Sequence, residues 1–126
     1  MSTESSLPVG PRQILIVEDE VIVAFDLERM VERLGYKVVG LAHCERRARE
    51  IIEEYRVDLA LVNIKLGHEN SGFSVAQYLR EKNIPFIFAT AYPEEIANGE
   101  FPHPHWLQKP YIEKVVEEKI SSVINH

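Results

Sequence analysis

Leu59-Ala60-Leu61-Val62-Asn63-Ile64-Lys65-Leu66 is the stretch whose reading decides the fold. Val57, Leu59, Ala60, Leu61 and Val62 lead up to Asn63 and are broken only by Asp58. An apolar run this short, rich in branched side chains, fits a parallel strand covered on both faces. A helix is the poorer reading, because Gly67 and the polar run His68-Glu69-Asn70-Ser71-Gly72 end the pattern at once. In an open α/β sheet, ligands bind just outside the carboxyl ends of the strands. Asn63 therefore stands where chemistry is expected, and asparagine is a poor nucleophile and a neutral metal ligand.

The same alternation of short strands and amphipathic helices extends in both directions. Residues 1–12, with several serines, Pro8, Gly10 and Pro11, show no periodicity and read as a flexible leader. Gln13-Ile14-Leu15-Ile16-Val17 is a first strand and runs straight into Glu18-Asp19-Glu20. Val23, Leu27, Met30, Val31 and Leu34 fall at helical spacing, and Gly35 closes that helix. Tyr36 to Ala42 is a second strand, and Ala48, Ile51, Ile52 and Tyr55 mark one face of a second helix. Phe73, Ala76 and Leu79 mark a third helix after Ser71-Gly72. Pro85 to Ala89 is a fourth strand, ending at Thr90-Ala91-Tyr92. Pro93-Glu94-Glu95 opens a helix that Gly99 and Pro102 cut short. His103 to Leu107 is an edge strand broken by Pro104. A last helix carries Ile112, Val115, Val116, Ile120, Val123 and Ile124 along one stripe. Five strands alternating with helices through short loops predict an α/β fold: a doubly wound five-stranded parallel sheet with helices on both faces.

Composition narrows the function classes. The chain has 126 residues, enough for one core, with 45% hydrophobic residues. A net charge of −6 argues against broad nucleic-acid or membrane-surface binding. Cys44 is the only cysteine, so no internal disulfide forms, and a cytoplasmic setting is expected. No apolar run approaches a membrane span and the N-terminus is no signal peptide.

Polar residues collect at four strand ends: Glu18 and Asp19, Asn63, Thr90, and Lys109. In a parallel sheet those ends face one way. Two adjacent carboxylates suit a hard divalent cation such as Mg²⁺. A lysine and a hydroxyl beside them suit a phosphoryl group, which needs charge compensation and donors.

Ile16-Val17-Glu18-Asp19-Glu20, Leu61-Val62-Asn63-Ile64-Lys65-Leu66, Thr90-Ala91 and Lys109-Pro110 occur in an order and at separations that make the chain similar to the response-regulator receiver domains (CheY-like) of two-component signalling. The likeness covers residues 13–125, within a receiver domain drawn as 13–126, and the ending at His126 fits a full receiver. It implies a flavodoxin-like three-layer sandwich with strand order 2-1-3-4-5. It implies Mg²⁺ held by Glu18, Asp19, the residue at 63 and the backbone carbonyl of Lys65. Thr90 and Lys109 are implied as phosphoryl contacts, and the Lys109–Pro110 bond as one that is often cis. Trp106 takes the place of an aromatic switch, with Tyr92 and Pro110 beside it at an interface built from the fourth helix, fifth strand and last helix. Phe88-Ala89-Thr90-Ala91-Tyr92 is similar to a Phe-Ala-Thr-Gly-Tyr subgroup that works with HWE-type histidine kinases, with Ala91 in place of the glycine.

The departure is Asn63. The family has an aspartate there, whose carboxylate accepts phosphate from a kinase histidine. An amide oxygen cannot form that acyl phosphate, and it takes one negative charge from the metal site, so Mg²⁺ binding is expected to be weakened. Asn63 is either native to a receiver that signals without phosphate or a substitution that locks the unphosphorylated state; deamidation is disfavoured by the bulky Ile64. The expected work is protein binding rather than enzymatic turnover. The partner is a histidine kinase, a phosphotransfer protein or another regulator, with homodimer formation left open. A different reading is a constitutive pseudo-receiver interaction module that has lost phosphotransfer entirely. A third, a small flavodoxin-like enzyme or nucleotide binder, needs a phosphate-cradling or flavin loop that the sequence does not show.

Several residues carry blander readings. Trp106 fits a ring covering the core as well as a switch. His103-Pro104-His105 resembles a metal pair, but no cysteine or carboxylate cluster supports it. Arg46, Arg47 and Arg49 are interleaved with glutamates and read as a solvated face. Cys44 reads as a small residue at a helix start.

Overall fold

A computed structural model describes residues 10–66, 71–91 and 105–124 of the chain. Its strands are β1 (Gln13–Val17), β2 (Lys37–Ala42), β3 (Leu59–Asn63), β4 (Phe86–Thr90) and β5 (Trp106–Gln108). Its helices are α1 (Val21–Arg33), α2 (Glu45–Glu54), α3 (Ser71–Glu81) and the C-terminal α4 (Glu113–Ile124). The strands form one sheet in the order β2-β1-β3-β4-β5, and every pairing is parallel. The doubly wound α/β architecture expected from the strand–helix alternation is the one observed. The expected leader is described only from Gly10, and the short helix expected at Pro93 lies outside the described residues. β5 starts at Trp106; His103 and Pro104 lie outside the described residues, while His105 precedes the strand.

Every residue of β3 and β4 is buried, the mark of central parallel strands with helices on both sides. The period of two divides the strands cleanly. Leu15, Val17, Ala60, Val62 and Phe88 pack under α2 and α3 with Ile51, Ala76 and Leu79. Ile14, Ile16, Leu59, Leu61 and Ile87 pack under α1 and α4 with Leu27, Val31, Val116 and Ile120. By that alternation, position 63 falls on the same side as Leu59 and Leu61.

Two helices end the same way. Gly35 follows α1 with φ +97°, its N–H bonded to Glu32 and that of Tyr36 to Val31. Asn83 follows α3 with φ 61°, its N–H bonded to Arg80 and that of Ile84 to Leu79. Both turns satisfy the last helical carbonyls in a left-handed cap that favours glycine or asparagine.

Two sequence expectations need correction. Tyr55 was expected on the buried face of α2, but it caps that helix and is 47% exposed, because the chain has already turned extended there. Ile112 and Val115 were expected in the apolar stripe of the last helix. Ile112 precedes α4 and is 62% exposed, and Val115 is 38% exposed. Only Val116 and Ile120 of that helix are buried, because the sheet reaches one edge of the stripe and no described element covers the other.

Candidate functional site

Strand register brings the polar groups together. Val17 of β1 pairs with Val62 of β3, so Glu18 and Asn63, each one residue further, emerge at the same level of the sheet. Asn63 pairs with Ala89 and Thr90 with Gln108, which puts Thr90 and then Lys109 one step beyond. The backbone continues the sheet past its formal end: Glu18 N–H donates to Ala42, Ile64 N–H to Ala89, and Lys109 N–H to Thr90.

The side chains meet at one point. Asn63 Nδ2 donates to Glu18 Oε2 at 3.3 Å, to Asp19 Oδ1 at 3.3 Å and to the Lys65 carbonyl at 2.5 Å. Lys109 Nζ lies 2.9 Å from the other Glu18 oxygen, Oε1. The Glu20 backbone N–H adds a bond to Glu18 Oε2 at 3.1 Å. Glu18, Asn63 and Thr90 are the buried polar residues among those described. Burial raises the Glu18 carboxyl above its ordinary value, offset in part by Lys109 and by the Glu20 N–H.

These residues do not fit a magnesium ion as they stand. Mg²⁺ requires oxygen ligands at about 2.0–2.1 Å. Glu18, Asp19 and the Lys65 carbonyl converge, but Asn63 presents its NH₂ group to them, and an amide nitrogen bearing two hydrogens is a donor. The orientation follows from the acceptors. Turned over, the amide oxygen would face two carboxylates and a carbonyl with no donor between them. Sequence could place Asn63 at the site but not say which end of its amide points inward.

Gly72 is a positioning residue that sequence reasoning did not single out. Its N–H donates to the Ile64 carbonyl at 2.9 Å. A Cβ there would lie 2.2 Å from the Asn63 carbonyl oxygen and 2.6 Å from Ile64 Cα. Only a glycine lets the start of α3 close so tightly on the end of β3. The available signal was a Ser-Gly at the head of a helical pattern, where a better helix former would ordinarily stand.

The remaining site candidates lie on the flank. The Lys109–Pro110 peptide bond is cis. Trp106 is half-buried against the α2–α3 core, with Lys119 Nζ 5.8 Å from its ring centre. It lines an open groove of about 450 Å³ with Pro110, Ile112 and Val115. Tyr92 lies outside the described residues. A second cleft of about 450 Å³ runs between α1 and the loop after β5, walled by Asp26, Met30, Lys109 and Tyr111. The Tyr111 hydroxyl is buried and finds no hydrogen-bond partner among the described residues. Burial, with the nearby charges of Glu18 and Glu20, pushes its phenol far above the ordinary range. At the start of α1, Val21, Ile22 and Phe25 are exposed beside Glu18.

Away from the site, α2 and α3 are clasped by polar pairs. Ser74 Oγ donates to Glu45 Oε2 at 2.6 Å, Arg49 binds the same carboxylate oxygen, and Tyr78 donates to Glu53. Arg46 and Arg47 both approach Glu50, as a solvated face requires. Cys44 is free and stands at the N-cap of α2. Among the described residues, no group of three histidines, cysteines or acids could hold a metal ion, and no helix is long and apolar enough to cross a membrane.

Parallel order, strand-end acids and a lysine after the fifth strand define a regulatory α/β domain of the receiver class. Residues 14–103 match the response regulator receiver domain family, and the chain belongs to that family. It is 41% identical over 115 residues to the phyllosphere-induced regulator PhyR of Methylorubrum extorquens, covering 89% of this chain and 43% of that protein. The receiver domain of Erythrobacter litoralis PhyR superposes with a TM-score of 0.83 at 33% identity, over 90% of this chain and 89% of that one. The anti-anti-sigma factor PhyR of Bartonella quintana superposes with a TM-score of 0.80 at 36% identity, over 94% of this chain and 49% of that one. The chain thus spans less than half of the full-length regulators it resembles.

Proposed function

We propose that this chain is a signalling receiver that works by binding other proteins and cannot itself carry an acyl phosphate. The observation that carries this reading is Asn63, buried at the end of β3 and bonded to Glu18, Asp19 and the Lys65 carbonyl. The side chain in the position of the phosphoacceptor is an amide, whose oxygen is too weakly nucleophilic to attack a phosphoryl group. Thr90 at the end of β4 and Lys109 just after β5, at the same edge of the sheet, support a receiver-like arrangement around it.

The partner is a histidine kinase, an HWE-type enzyme included, or a phosphotransfer protein, met in the cytoplasm. The apolar groups left exposed at the start of α1 and along the Trp106 groove support protein contact over contact with an acidic or basic ligand. The likeness to a protein described as an anti-anti-sigma factor supports a place in a chain of protein–protein exchanges. A natural form with aspartate at this position would bind Mg²⁺, take phosphate and pass it on.

The test is intact mass after incubation with acetyl phosphate and Mg²⁺, run on the chain and on Asn63→Asp together. The expected result is a phosphoryl adduct on Asn63→Asp alone. No adduct on either protein would leave a binding module that has kept only the receiver fold. An adduct on the parent chain would overturn the reading outright.

A further inference from the structure

We propose that the Asn63 side-chain amide is a built-in stand-in for the divalent cation, holding the acidic site closed without metal. The proposal rests on the receiver reading for the identity of the cation, but on the geometry alone for the rest. Three oxygens converge from three places in the chain: Glu18 Oε2, Asp19 Oδ1 and the Lys65 carbonyl. Brought together with nothing between them, two carboxylates and a carbonyl repel. In this structure one atom touches all three, Asn63 Nδ2, at 3.3, 3.3 and 2.5 Å. Its two hydrogens serve the three oxygens, the short bond going to the carbonyl and the long ones to the two acids. The ammonium of Lys109 takes the remaining Glu18 oxygen at 2.9 Å. Amide and ammonium together supply the donors and the positive potential that a metal ion would otherwise bring.

This arrangement reverses the ordinary expectation for an asparagine at a metal site. A carboxamide normally contributes its oxygen as a neutral ligand. Here a cation can enter only if the amide turns over or swings away, and either movement breaks the three hydrogen bonds, two of them to carboxylates. The bonds to the two acids are long at 3.3 Å and the bond to the carbonyl is short at 2.5 Å; losing one ordinary hydrogen bond shifts an equilibrium by up to about tenfold, and here all three are lost together. Asn63 therefore opposes metal binding beyond its lack of a negative charge, and removing its side chain frees the site even though it removes an oxygen.

The experiment compares Mg²⁺ titrations of the parent chain, Asn63→Ala and Asn63→Asp at constant ionic strength, read by thermal unfolding. The parent midpoint of unfolding is expected not to move, whereas Asn63→Ala gains a Mg²⁺-dependent rise with a midpoint at least about tenfold lower in Mg²⁺ than any parent response. A response in the parent that disappears in Asn63→Ala would show that the amide oxygen is a ligand and would overturn the proposal. No response in Asn63→Ala when Asn63→Asp responds would overturn it too, since charge alone would then explain the exclusion. If Asn63→Ala does not fold, the parent decides the matter: its Asn63 side-chain NH₂ signals in ¹⁵N spectra should be slow to exchange with solvent and unmoved by Mg²⁺. Signals that shift on adding Mg²⁺ would count against the amide as the occupant. Asn63→Asp that binds Mg²⁺ but takes no phosphate would sink the phosphorelay reading and leave this inference intact.

Discussion

Replacing Lys109 by methionine tests the electrostatic centre of the site. The substitution keeps most of the aliphatic stem and removes the ammonium that lies 2.9 Å from Glu18 Oε1. The Glu18 side chain is 1% exposed, so water cannot replace the lost partner easily. Removing one member of a fully buried pair costs about 3–5 kcal/mol. Lys109 itself is 19% exposed, and Glu18 Oε2 keeps the Glu20 N–H at 3.1 Å. Both features reduce the loss to about 2–3 kcal/mol near neutral pH. For a domain of this size that is a fall of roughly 6–10 °C in Tm. The sign of the pH dependence follows from Glu18. Its folded-state carboxyl is raised above the ordinary 4.5 by burial, and Lys109 works against that rise. A raised acid contributes stability that is full below the unfolded value and lost as pH climbs through the folded one. Without Lys109 the folded value climbs further, so the deficit of the variant grows from about pH 4.5 upward and is small below it. Urea unfolding of both proteins at about pH 4.5 and about pH 7.5, followed by the fluorescence of Trp106, the single tryptophan, measures it. A deficit under about 0.5 kcal/mol, or one equal at the two pH values, would refute the reasoning and mark the pair as an ordinary surface bridge.

Three further outcomes are expected. Gly72→Ala should destabilise the chain by about 1–3 kcal/mol in urea unfolding, because the new Cβ meets backbone at 2.2 Å. Gly40→Ala is its control and should cost less, since the nearest atom there is the terminal Cδ1 of Ile51, which can turn aside. Tyr111→Phe should be neutral or stabilising by up to about 1 kcal/mol, because it deletes a buried hydroxyl that has no described partner; a loss above that, read by thermal unfolding, would mean the hydroxyl is bonded. The Glu45 carboxyl is lowered first by Ser74 and then by Arg49. A lowered acid contributes stability above its unfolded value that is lost as pH falls through the folded one. Ser74→Ala should therefore cost about 0.5–1 kcal/mol at neutral pH and progressively less in acid, which paired urea curves would detect.

Sequence alone determined the architecture and pointed to Glu18, Asp19, Asn63 and Lys109, which the structure brings within hydrogen-bonding reach of one another. Parallel strands buried on both faces must be almost wholly apolar, so β1, β3 and β4 stand out against their polar surroundings, and the first charged or amide residue after each run marks the edge where ligands meet. Glu18 and Asn63 were legible for that reason; Thr90 and Lys109 were legible as the polar residues at the ends of the fourth and fifth strands, in an order similar to that of receiver domains. Tertiary structure decided what periodicity cannot carry. A helical stripe shows which side of Glu113–Ile124 is apolar but not how far the sheet extends beneath it, so Val115 came out exposed, and Ile112 lies ahead of the helix altogether. Gly72 is demanded by a close approach of α3 to β3, an event between elements that leaves no local pattern. The direction of the Asn63 amide was settled by acceptors 45 and 44 residues away and by a carbonyl two residues on. A carboxamide has a donor end and an acceptor end of nearly equal size, and only the groups that folding assembles around it can tell them apart.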